Sequence, residues 1–267
     1  MTTNSHEPAL KLDGLKAIVT GSGGGMGGAI AATFARHGAD VALNDRFAER
    51  VQVQENACRV FGRDVISITS NVTKREGAQQ LVEAAQDRWG RVDILVNVVG
   101  GIKGPVINPI VDITEEQWEM TIGLNLRGTY HCTQLVVPGM IERKFGKIVN
   151  ISSISWAGEP AHAHYAAGKA GVIAFTRSTA SQLGPHNINV NAIAPGPTGR
   201  AVEVDLAPPT TGQSAMWTIG SGTLGRPNDP ADIANAALFL VSEDSRNISG
   251  QVLNVAGGLN PTYDYVL

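Results

Sequence analysis

The sequence is poor in cysteine and in aromatic residues, and it carries no strong excess of charge. Its two cysteines, Cys58 and Cys132, stand in neither a CxxC nor a Cys/His ligand spacing. We therefore expect reduced thiols inside the fold and no metal site, with one disulfide between them as the less favoured alternative. A net charge of −3 gives no electrostatic basis for binding nucleic acid or an anionic membrane surface.

Long apolar segments are also missing. No apolar run approaches the roughly 20 residues of a membrane-spanning helix. Residues 1–11 are polar and lack the apolar core of a secretory signal. These absences predict a cytoplasmic protein that is not inserted in a membrane.

What the sequence does have is glycine, with 31 residues, and short apolar runs that alternate with helical patterns. Runs that are apolar at every position are typical of strands covered on both faces, as in a parallel sheet flanked by helices. The alternation of strand and helix is the rhythm of βαβ units. The sequence thus predicts an α/β fold, a Rossmann-type doubly wound parallel sheet of about seven strands with helices on both faces.

The predicted elements can be placed along the chain. The strands are Ala17–Val19, Val41–Leu43, Val65–Ile68, Ile94–Val96, Lys147–Ile151, Ile188–Asn191 and Val252–Val255. One helix follows the first strand, and the others cover residues 47–61, 74–89, 115–140 and 163–183. We expect one domain over residues 12–267, preceded by a flexible tail of residues 1–11.

Residues 196–226 differ from the rest because they are rich in Pro, Gly, Thr and Ser and show no clear periodicity. A loop of this length inside a compact domain is often a lid over a site. The alternative is a disordered surface excursion.

A glycine-rich segment, Thr20–Gly27, joins the first strand to the helix that follows it. A helix N-terminus offers free N–H groups and a partial positive charge, which suits a pyrophosphate. Glycine lets the backbone approach the phosphates without a Cβ clash. A tight turn between strand and helix also favours glycine. The evidence for a phosphate-binding segment therefore comes mainly from its position directly after the first strand.

Asp45 lies at the end of the second strand, 18 residues after Gly27. A carboxylate there can accept hydrogen bonds from the adenosine ribose hydroxyls and repels a 2′-phosphate, which favours NAD over NADP. Arg46 favours NADP instead, since an arginine can pair with a 2′-phosphate. The alternative role of Asp45 is that of a helix N-cap.

Tyr165 and Lys169 are four residues apart in a predicted helix, so their side chains share one face. A phenol with a pKa near 10 is a poor acid–base at neutral pH, but a nearby ammonium favours the phenolate and lowers that pKa. Taken alone, the spacing favours an ordinary pair of helix residues.

Five motifs in order resemble the short-chain dehydrogenase/reductase family over about residues 12–258. They are a Thr-Gly-x-x-x-Gly-x-Gly pattern, an Asn in the long central helix, a Tyr-x-x-x-Lys pair, a Pro-Gly after the sixth strand and a Thr shortly after it. The matching residues are Thr20, Gly21, Gly25, Gly27, Asn125, Tyr165, Lys169, Pro195, Gly196 and Thr198. The resemblance implies a hydride-transferring enzyme with a nicotinamide cofactor.

The resemblance assigns catalytic roles to four residues. Tyr165 would give or take the hydroxyl proton, and Lys169 would hold the nicotinamide ribose and lower the pKa of the tyrosine. Asn125 would hold a water that links Lys169 to solvent. A serine after the fifth strand would bind the substrate oxygen; both Ser152 and Ser153 match parts of the family pattern, and we choose Ser153.

The resemblance also implies a set of cofactor-binding residues. They are Gly21, Gly25, Met26, Gly27, Asp45, Asn71, Val72, Asn97, Tyr165, Lys169, Pro195 and Thr198. Asn71 stands where the family usually has Asp, so an amide oxygen would accept from the adenine amino group. Val98 and Val99 replace smaller residues of the family and would change the packing on the adenosine side.

The predicted reaction is hydride transfer between NAD(H), or less favourably NADP(H), and a secondary alcohol or ketone, a cyclic alcohol or ring diol included. Trp156, His162, His164, Ile102 and the segment with Met216 and Trp217 are equally interpreted as pocket walls or as packing residues. A second acid–base role for either histidine is less favoured, because Tyr165 already fills it.

Two other functions remain as alternatives. One is a non-catalytic dinucleotide-binding regulatory protein on the same fold, which would not need all four catalytic residues. The other is an epimerase or dehydratase, which usually has a larger C-terminal substrate region. We also expect a homotetramer, because relatives usually form one and because the long helices at 115–140 and 163–183 and the tail Asn260–Leu267 offer apolar faces.

Overall fold

The computed structural model describes residues 10–199, 224 and 226–259. Their strands form one parallel sheet of seven strands in the order β3-β2-β1-β4-β5-β6-β7. The strands are Lys16–Thr20 (β1), Asp40–Asp45 (β2), Val65–Thr69 (β3), Ile94–Asn97 (β4), Gly146–Ile151 (β5), Ile188–Pro195 (β6) and Val252–Val255 (β7). This architecture confirms the predicted Rossmann-type fold and all seven predicted strands.

Six helices cover the sheet in the described part of the chain. They are Gly25–Arg36 (α1), Ala48–Arg59 (α2), Arg75–Trp89 (α3), Glu115–Arg143 (α4), Ala163–Leu183 (α5) and Pro230–Val241 (α6). The first five correspond to the predicted helices. None of the helices in the described residues has both the length and the apolarity needed to cross a membrane.

The sheet separates two apolar layers, which follows from the alternation of side chains along each strand. In β1, Ala17 and Val19 belong to the layer formed with α1, α2 and α6. Ile18 between them belongs to the opposite layer, with α3, α4 and α5. Cys58 and Cys132 are buried free thiols, one in each layer, as predicted.

Helix α6 was not predicted. Its beginning is well marked, since Asp229 accepts from the Ala231 N–H, Asp232 accepts from the Asp229 N–H, and Pro230 occupies the first turn. Much of the predicted lid and the whole predicted tail, with Met216, Trp217 and Asn260–Leu267, lie outside the described residues, as do residues 1–9.

Candidate active site

A cleft opens where the order of the strands reverses, between the carboxyl ends of β1 and β4. In open α/β sheets this is the position where ligands bind. Thr20 closes the base of the cleft, because its hydroxyl donates to the Val96 carbonyl at 3.4 Å and accepts from the Val98 N–H at 3.0 Å. The residue therefore ties the segment after β1 to the segment after β4, a role that the motif alone did not reveal.

The glycine segment after β1 has no room for side chains where the chain folds back on itself. A Cβ on Gly27 would lie 2.2 Å from the Gly21 carbonyl oxygen, well inside any real contact. Gly21 and Gly25 have φ values of 62° and 52°, which favour glycine, and a Cβ on Gly25 would meet only open space. The N-terminus of α1 thus presents bare backbone to an open cleft, which fits a pyrophosphate group.

Asp45 lies half-buried at the end of β2, where it lines the cleft next to the glycine segment. Its carboxylate accepts from the Gly23 N–H at 3.3 Å and from the Phe47 N–H at 3.2 Å. Next to it, the guanidinium groups of Arg46 and Arg50 lie 4.5 Å and 4.6 Å from the centre of the Phe47 ring. The wall therefore holds one carboxylate and two cations, as the opposing signals of Asp45 and Arg46 in the sequence indicated.

The far wall of the adenosine end is formed after β3. Val72 is buried, while the Asn71 amide oxygen accepts from both the N–H and the hydroxyl of Thr73. Asn71 lines the cleft, but this oxygen is already engaged in a local turn. An adenine amino group would have to share it.

The cleft has a volume of about 690 Å³, large enough for a small molecule or part of a dinucleotide. It is lined by Gly21, Met26, Gly27, Asp45, Asn71, Val72, Val98, Val99, Gly100, Ile102 and Leu124, together with neighbouring residues. Ile102 is thus a wall of the cleft. Among the residues that the structure describes, Trp156, His162 and His164 are not part of this lining, and neither are Asn125, Ser153, Tyr165 and Lys169.

Asn97 ends β4 and is buried beneath the cleft. Its amide nitrogen donates to the Asn150 side-chain oxygen at 2.9 Å and to the Thr133 hydroxyl at 3.3 Å, whereas its own oxygen has no partner among the residues described. Asn150 in turn donates to the Thr176 hydroxyl at 2.9 Å. These bonds connect β4, β5, α4 and α5, so Asn97 braces the sheet beneath the cleft.

Ser152 and Ser153 follow β5 and point in different directions. Ser152 is buried, and its hydroxyl donates to the Lys169 carbonyl oxygen at 2.9 Å inside α5. Ser153 is half-buried; its hydroxyl bonds with Ser155, and hydrogen bonding from its side chain lowers the pKa of the Tyr165 phenol. The structure therefore places Ser153, the residue chosen from the sequence, beside the tyrosine.

Tyr165 and Lys169 lie on one face of α5, as their spacing predicts. The Lys169 ammonium lies 5.7 Å from the centre of the Tyr165 ring and donates to the Ile151 carbonyl at 2.9 Å. Burial lowers the pKa of Lys169 to about 8. The same ammonium is thus buried, bound to the backbone and only weakly held in its charged form.

The pKa of Tyr165 differs from the sequence-based expectation. Burial raises it most, the hydrogen bond from Ser153 lowers it, and the charge of Glu159 raises it further. The net direction is upward, whereas we expected Lys169 to lower it. The reason is that Lys169 directs its ammonium to the Ile151 carbonyl, so burial of the phenol outweighs attraction by the ammonium.

Asn125 connects α4 with the segment after β4. Its amide oxygen accepts from the Gly101 N–H at 3.0 Å, and its nitrogen donates to the carbonyls of Gly101 and Thr121 at 2.7 Å and 2.8 Å. A Cβ on Gly100 would lie 2.6 Å from this oxygen and 2.7 Å from the Lys169 nitrogen. Gly100 is therefore the point at which the cleft, Asn125 and Lys169 meet.

Pro195 and Thr198 lie where the chain leaves β6. Pro195 is buried at the end of the strand, and the Thr198 hydroxyl donates to the Gly196 carbonyl at 2.8 Å. The Asn228 amide donates to the same hydroxyl at 3.3 Å. Asn228 thus fixes the beginning of the segment that was predicted to be a lid.

Two residues near Tyr165, Ser155 and Glu159, were missed in the sequence. His162 lies 2.9 Å from the Glu159 carboxylate, and Ser155 donates to the same carboxylate. His164 is buried, with its ring 3.2 Å from the Lys103 carbonyl, and the buried indole nitrogen of Trp156 finds no hydrogen-bond partner within the described part of the chain. Ser155 and Glu159 gave no signal in the sequence, because a bend after β5 brings them to the site and no recognised motif contains them.

Comparison with known proteins adds independent information. A family model described as enoyl-(acyl carrier protein) reductase matches residues 21–260. Subunit BbsD of (2S)-[(R)-hydroxy(phenyl)methyl]succinyl-CoA dehydrogenase from Thauera aromatica is 38% identical over 242 residues, which are 91% of this chain and 95% of that protein. The 3-oxoacyl-[acyl-carrier-protein] reductase FabG of Thermotoga maritima is 35% identical over 251 residues, 94% of this chain and 99% of that protein.

A solved structure is similar over nearly the whole chain as well. NAD⁺-bound xylitol dehydrogenase superposes with a TM-score of 0.86 at 31% sequence identity, covering 93% of this chain and 100% of that chain. The match therefore includes the cleft between β1 and β4 and the segment that carries Tyr165.

Proposed function

The chain belongs to the short-chain dehydrogenase/reductase family, and on that basis we propose that it moves a hydride between NAD(H) and a secondary alcohol or ketone, with Tyr165 as general acid and base. Membership of the family was predicted from the motifs and is confirmed. The chain is accordingly an NAD(P)-dependent oxidoreductase that acts on an alcohol or ketone group.

One observation carries the catalytic assignment. Asn125 and Lys169 flank Gly100, which lines the cleft. The centre of the Tyr165 ring lies 5.7 Å from the Lys169 ammonium. Ser153 faces the same phenol. Four polar side chains from α4, α5 and the end of β5 thus converge beside a cleft whose other end suits a dinucleotide.

The proposed chemistry divides between cofactor and protein. A bound nicotinamide supplies or accepts the hydride. In reduction, Tyr165 donates its proton to the substrate oxygen while the Ser153 hydroxyl holds that oxygen; in oxidation, Tyr165 takes the hydroxyl proton. Because its pKa is raised, Tyr165 is protonated at neutral pH, which favours its role as the acid in ketone reduction.

Lys169 and Asn125 support the tyrosine. Lys169, with a pKa of about 8, can exchange a proton near neutral pH, and holding the nicotinamide ribose is its proposed second role. Asn125 fixes the backbone of Gly101 and faces the same point as the ammonium, which suits it to hold the water of a proton relay. The remaining cofactor-binding residues predicted from the sequence belong to this proposal unchanged.

NAD is the proposed cofactor. The Asp45 carboxylate stands at the end of β2, where it would accept from ribose hydroxyls and repel a 2′-phosphate. The similar xylitol dehydrogenase structure contains NAD⁺. Arg46, whose guanidinium lies over the Phe47 ring, also lines the cleft and could pair with a 2′-phosphate, which keeps NADP as the less favoured alternative.

The proposed substrate is a modestly apolar secondary alcohol or ketone, with cyclic alcohols and diols included. Ile102 and Leu124 give the inner end of the cleft an apolar wall. The Thauera relative is named for a substrate with a hydroxyl beside a phenyl ring, and the similar solved structure for a polyol. Both types of compound belong to the first series to be tested.

A homotetramer is the proposed assembly. Trp118 and Tyr130 on α4 expose 39% and 44% of their surface, and Met120 between them exposes 48%. Apolar surface of this kind on a long helix suits contact with a second copy. Sedimentation equilibrium tests the assembly, and a monomer at all concentrations would contradict it.

A substrate screen tests the proposed function. The protein is incubated with a series of secondary alcohols and NAD⁺ or NADP⁺, and with the matching ketones and NADH or NADPH, and the absorbance of the reduced nicotinamide is followed. We expect turnover with NAD(H) and at least one cyclic or polyhydric substrate. Binding of the nucleotides without turnover of any compound would favour a non-catalytic, dinucleotide-binding regulator instead.

A further inference from the structure

A chain of polar side chains leads away from Tyr165 to a buried glutamate–histidine pair. Ser153, beside the phenol, donates to the Ser155 hydroxyl at 3.1 Å. Ser155 donates to one oxygen of Glu159, and the His162 Nε2 lies 2.9 Å from that same oxygen. We call Ser155, Glu159 and His162 the Ser–Glu–His relay.

The direction of the hydrogen bonds follows from the chemistry of a carboxylate, which only accepts. Ser155 therefore gives its proton to Glu159, and its oxygen is left to accept the proton of Ser153. Ser153 also accepts from the Ser155 N–H at 3.2 Å. Ser153 is the hydrogen-bond partner that lowers the pKa of Tyr165, and a Ser153 proton directed to Ser155 is not available to the phenolate.

The His162 ring is held between two acceptors. Its Nδ1 lies 2.8 Å from the Val106 carbonyl, and its Nε2 faces the Glu159 carboxylate. Since both neighbours accept hydrogen bonds, both ring nitrogens are placed to donate, which is the imidazolium form. Burial by itself would lower the pKa of His162, but the hydrogen bond and charge of Glu159 and the bond to Val106 raise it.

The Glu159–His162 pair is largely buried. The His162 side chain is 5% exposed and that of Glu159 is 19% exposed. Burial by itself would raise the pKa of Glu159, yet the bonds from His162 and Ser155 lower it. Both groups are therefore held in their charged forms next to a catalytic segment.

The pair also faces Tyr165 directly. The rings of His162 and Tyr165 pack edge to face with their centres 5.2 Å apart. The negative charge of Glu159 raises the pKa of Tyr165, after the larger effect of burial. A protonated His162 offsets this charge, and a neutral His162 does not.

We propose that the Ser–Glu–His relay is an ionisable positioning device for the catalytic tyrosine: it orients the Ser153 hydroxyl, and the protonation state of His162 sets how much of the Glu159 charge reaches the Tyr165 phenol. The relay does not touch the reacting atoms in this scheme. It acts through Ser153 and Tyr165, and to that extent it rests on the proposed function.

The other charged and polar groups around the relay are directed to partners other than the Tyr165 phenol. From α5, Lys169 directs its ammonium to the Ile151 carbonyl. From the segment after β4, Val106 and Lys103 present backbone carbonyls, to His162 and His164. Among the residues that the structure describes, Glu159 is the charged group that acts on the pKa of Tyr165.

An optical titration tests the relay without turnover. The absorbance of tyrosinate is followed against pH in the wild type and in Glu159→Gln, each corrected by subtracting the same protein with Tyr165→Phe, since the chain has four tyrosines. We expect Tyr165 to ionise at lower pH in Glu159→Gln, because the carboxylate charge that raises the pKa of the phenol is gone. Glu116→Gln, on the exposed start of α4, is the matched control and should titrate like the wild type.

Ser155→Ala provides a second variant that leaves the ion pair intact. Loss of the Ser155 hydroxyl frees the Ser153 proton, so Tyr165 should again ionise at lower pH than in the wild type. Titrations of Glu159→Gln and Ser155→Ala that superpose on the wild type would overturn the proposal. If Glu159→Gln does not fold, Ser155→Ala alone decides in the same way.

Kinetics then test the part played by His162. Under the relay, Glu159→Gln increases kcat/KM for alcohol oxidation at neutral pH by roughly threefold to tenfold, and His162→Gln decreases it by a similar factor. The deficit of His162→Gln should vanish at a pH where the wild-type histidine is neutral. Equal losses in both variants at every pH would mark a merely structural role and contradict the proposal.

The two failures are distinguishable. Absence of any alcohol oxidation in the wild type would contradict the proposed function, while the optical titration would still show whether Glu159 controls Tyr165. Turnover by the wild type without any shift in the variants would contradict the relay alone.

Discussion

The two ends of the site are built in different ways. At the nucleotide end, backbone and glycine create the shape: a Cβ on Gly27 would strike the Gly21 carbonyl at 2.2 Å, and the N-terminus of α1 lies open. At the catalytic end, buried ionisable side chains create the chemistry, with Lys169 at a pKa of about 8 and the Glu159–His162 pair nearly enclosed.

This difference has a consequence for substitutions. The nucleotide end should be sensitive to added volume and tolerant of changes in charge, because its neighbours are backbone atoms that cannot move cheaply. The catalytic end should be sensitive to changes in charge, because each buried group depends on its partner for compensation. Each of the following substitutions tests one side of this contrast.

The largest effect is expected for Gly27→Ala. The added methyl group has no space against the Gly21 carbonyl, so the free energy of unfolding should fall by about 3 kcal/mol and NAD(H) binding should weaken more than roughly tenfold. Denaturant unfolding and fluorescence titration with NADH measure both. Gly184→Ala at the end of α5, where a Cβ meets nothing within 4 Å, is the control and should leave both unchanged. Wild-type stability in Gly27→Ala would refute the steric account of this end.

Gly100→Ala tests the point where the two ends meet. The Cβ would push apart the Asn125 oxygen and the Lys169 nitrogen, so we expect kcat to fall by roughly 10- to 100-fold while the fold is retained. Steady-state kinetics and circular dichroism provide the measurement. An unchanged kcat would show that the placement of these two groups is not needed for turnover.

Lys169→Met tests the energetic cost of a buried charge. With a pKa of about 8 in the fold against an ordinary 10.5, the unfolded chain binds more protons between these values, so Lys169 makes the wild type more stable as pH rises through that window. At pH below about 8 the substitution should therefore stabilise the fold by about 1 to 2 kcal/mol, after allowing for the lost bond to the Ile151 carbonyl.

The advantage of Lys169→Met should shrink as the pH approaches 10.5. Urea unfolding of both proteins at a neutral and at an alkaline pH measures it. If the variant is less stable than the wild type at neutral pH, and the difference in the free energy of unfolding does not depend on pH, then burial of the charged Lys169 does not destabilise the fold.

Asp45→Asn has the smallest expected effect, because it changes charge at the end built from shape. The amide can still accept hydrogen bonds, but it no longer repels a 2′-phosphate, so the preference for NAD over NADP should weaken by about tenfold. Steady-state kinetics with both cofactors measure the ratio. Arg46→Gln should shift the ratio in the opposite direction, and an unchanged ratio in both variants would remove these residues from cofactor selection.

The fold could be predicted largely because local pattern and final structure agree. The runs of β1 to β7 are short and apolar, and α5 was placed at its observed bounds, Ala163–Leu183. Helix α6 was missed although Asp229, Pro230 and Asp232 mark its start, because these residues directly follow a segment rich in Pro and Gly, a composition that favours a loop.

The site was predictable where a motif fixes both residue type and spacing. Tyr165, Lys169 and Asn125 follow such spacings; the structure brings Asn125 and Lys169 together at Gly100 and places Tyr165 beside Lys169. The alternation of a strand could not separate Ser152 from Ser153, since β5 ends at Ile151 and the chain turns there.

The pKa of Tyr165 and the Ser–Glu–His relay could not be read from the sequence. Both depend on the depth of burial and on the folding of the turn Ile154–Ala157, which brings Glu159 and His162 to the phenol. Spacing along the chain predicts which side chains share a helix face, but it does not predict that the Lys169 ammonium donates to the Ile151 carbonyl.

The most direct test of the central claim, that Tyr165 is the acid–base of a nicotinamide-dependent reaction, is the turnover of Tyr165→Phe with NADH binding measured on the same protein. The account predicts that kcat falls by about a thousandfold or more, while the affinity for NADH stays within about twofold of the wild type, since only the hydroxyl is lost. A variant that turns over at close to the wild-type rate would contradict it.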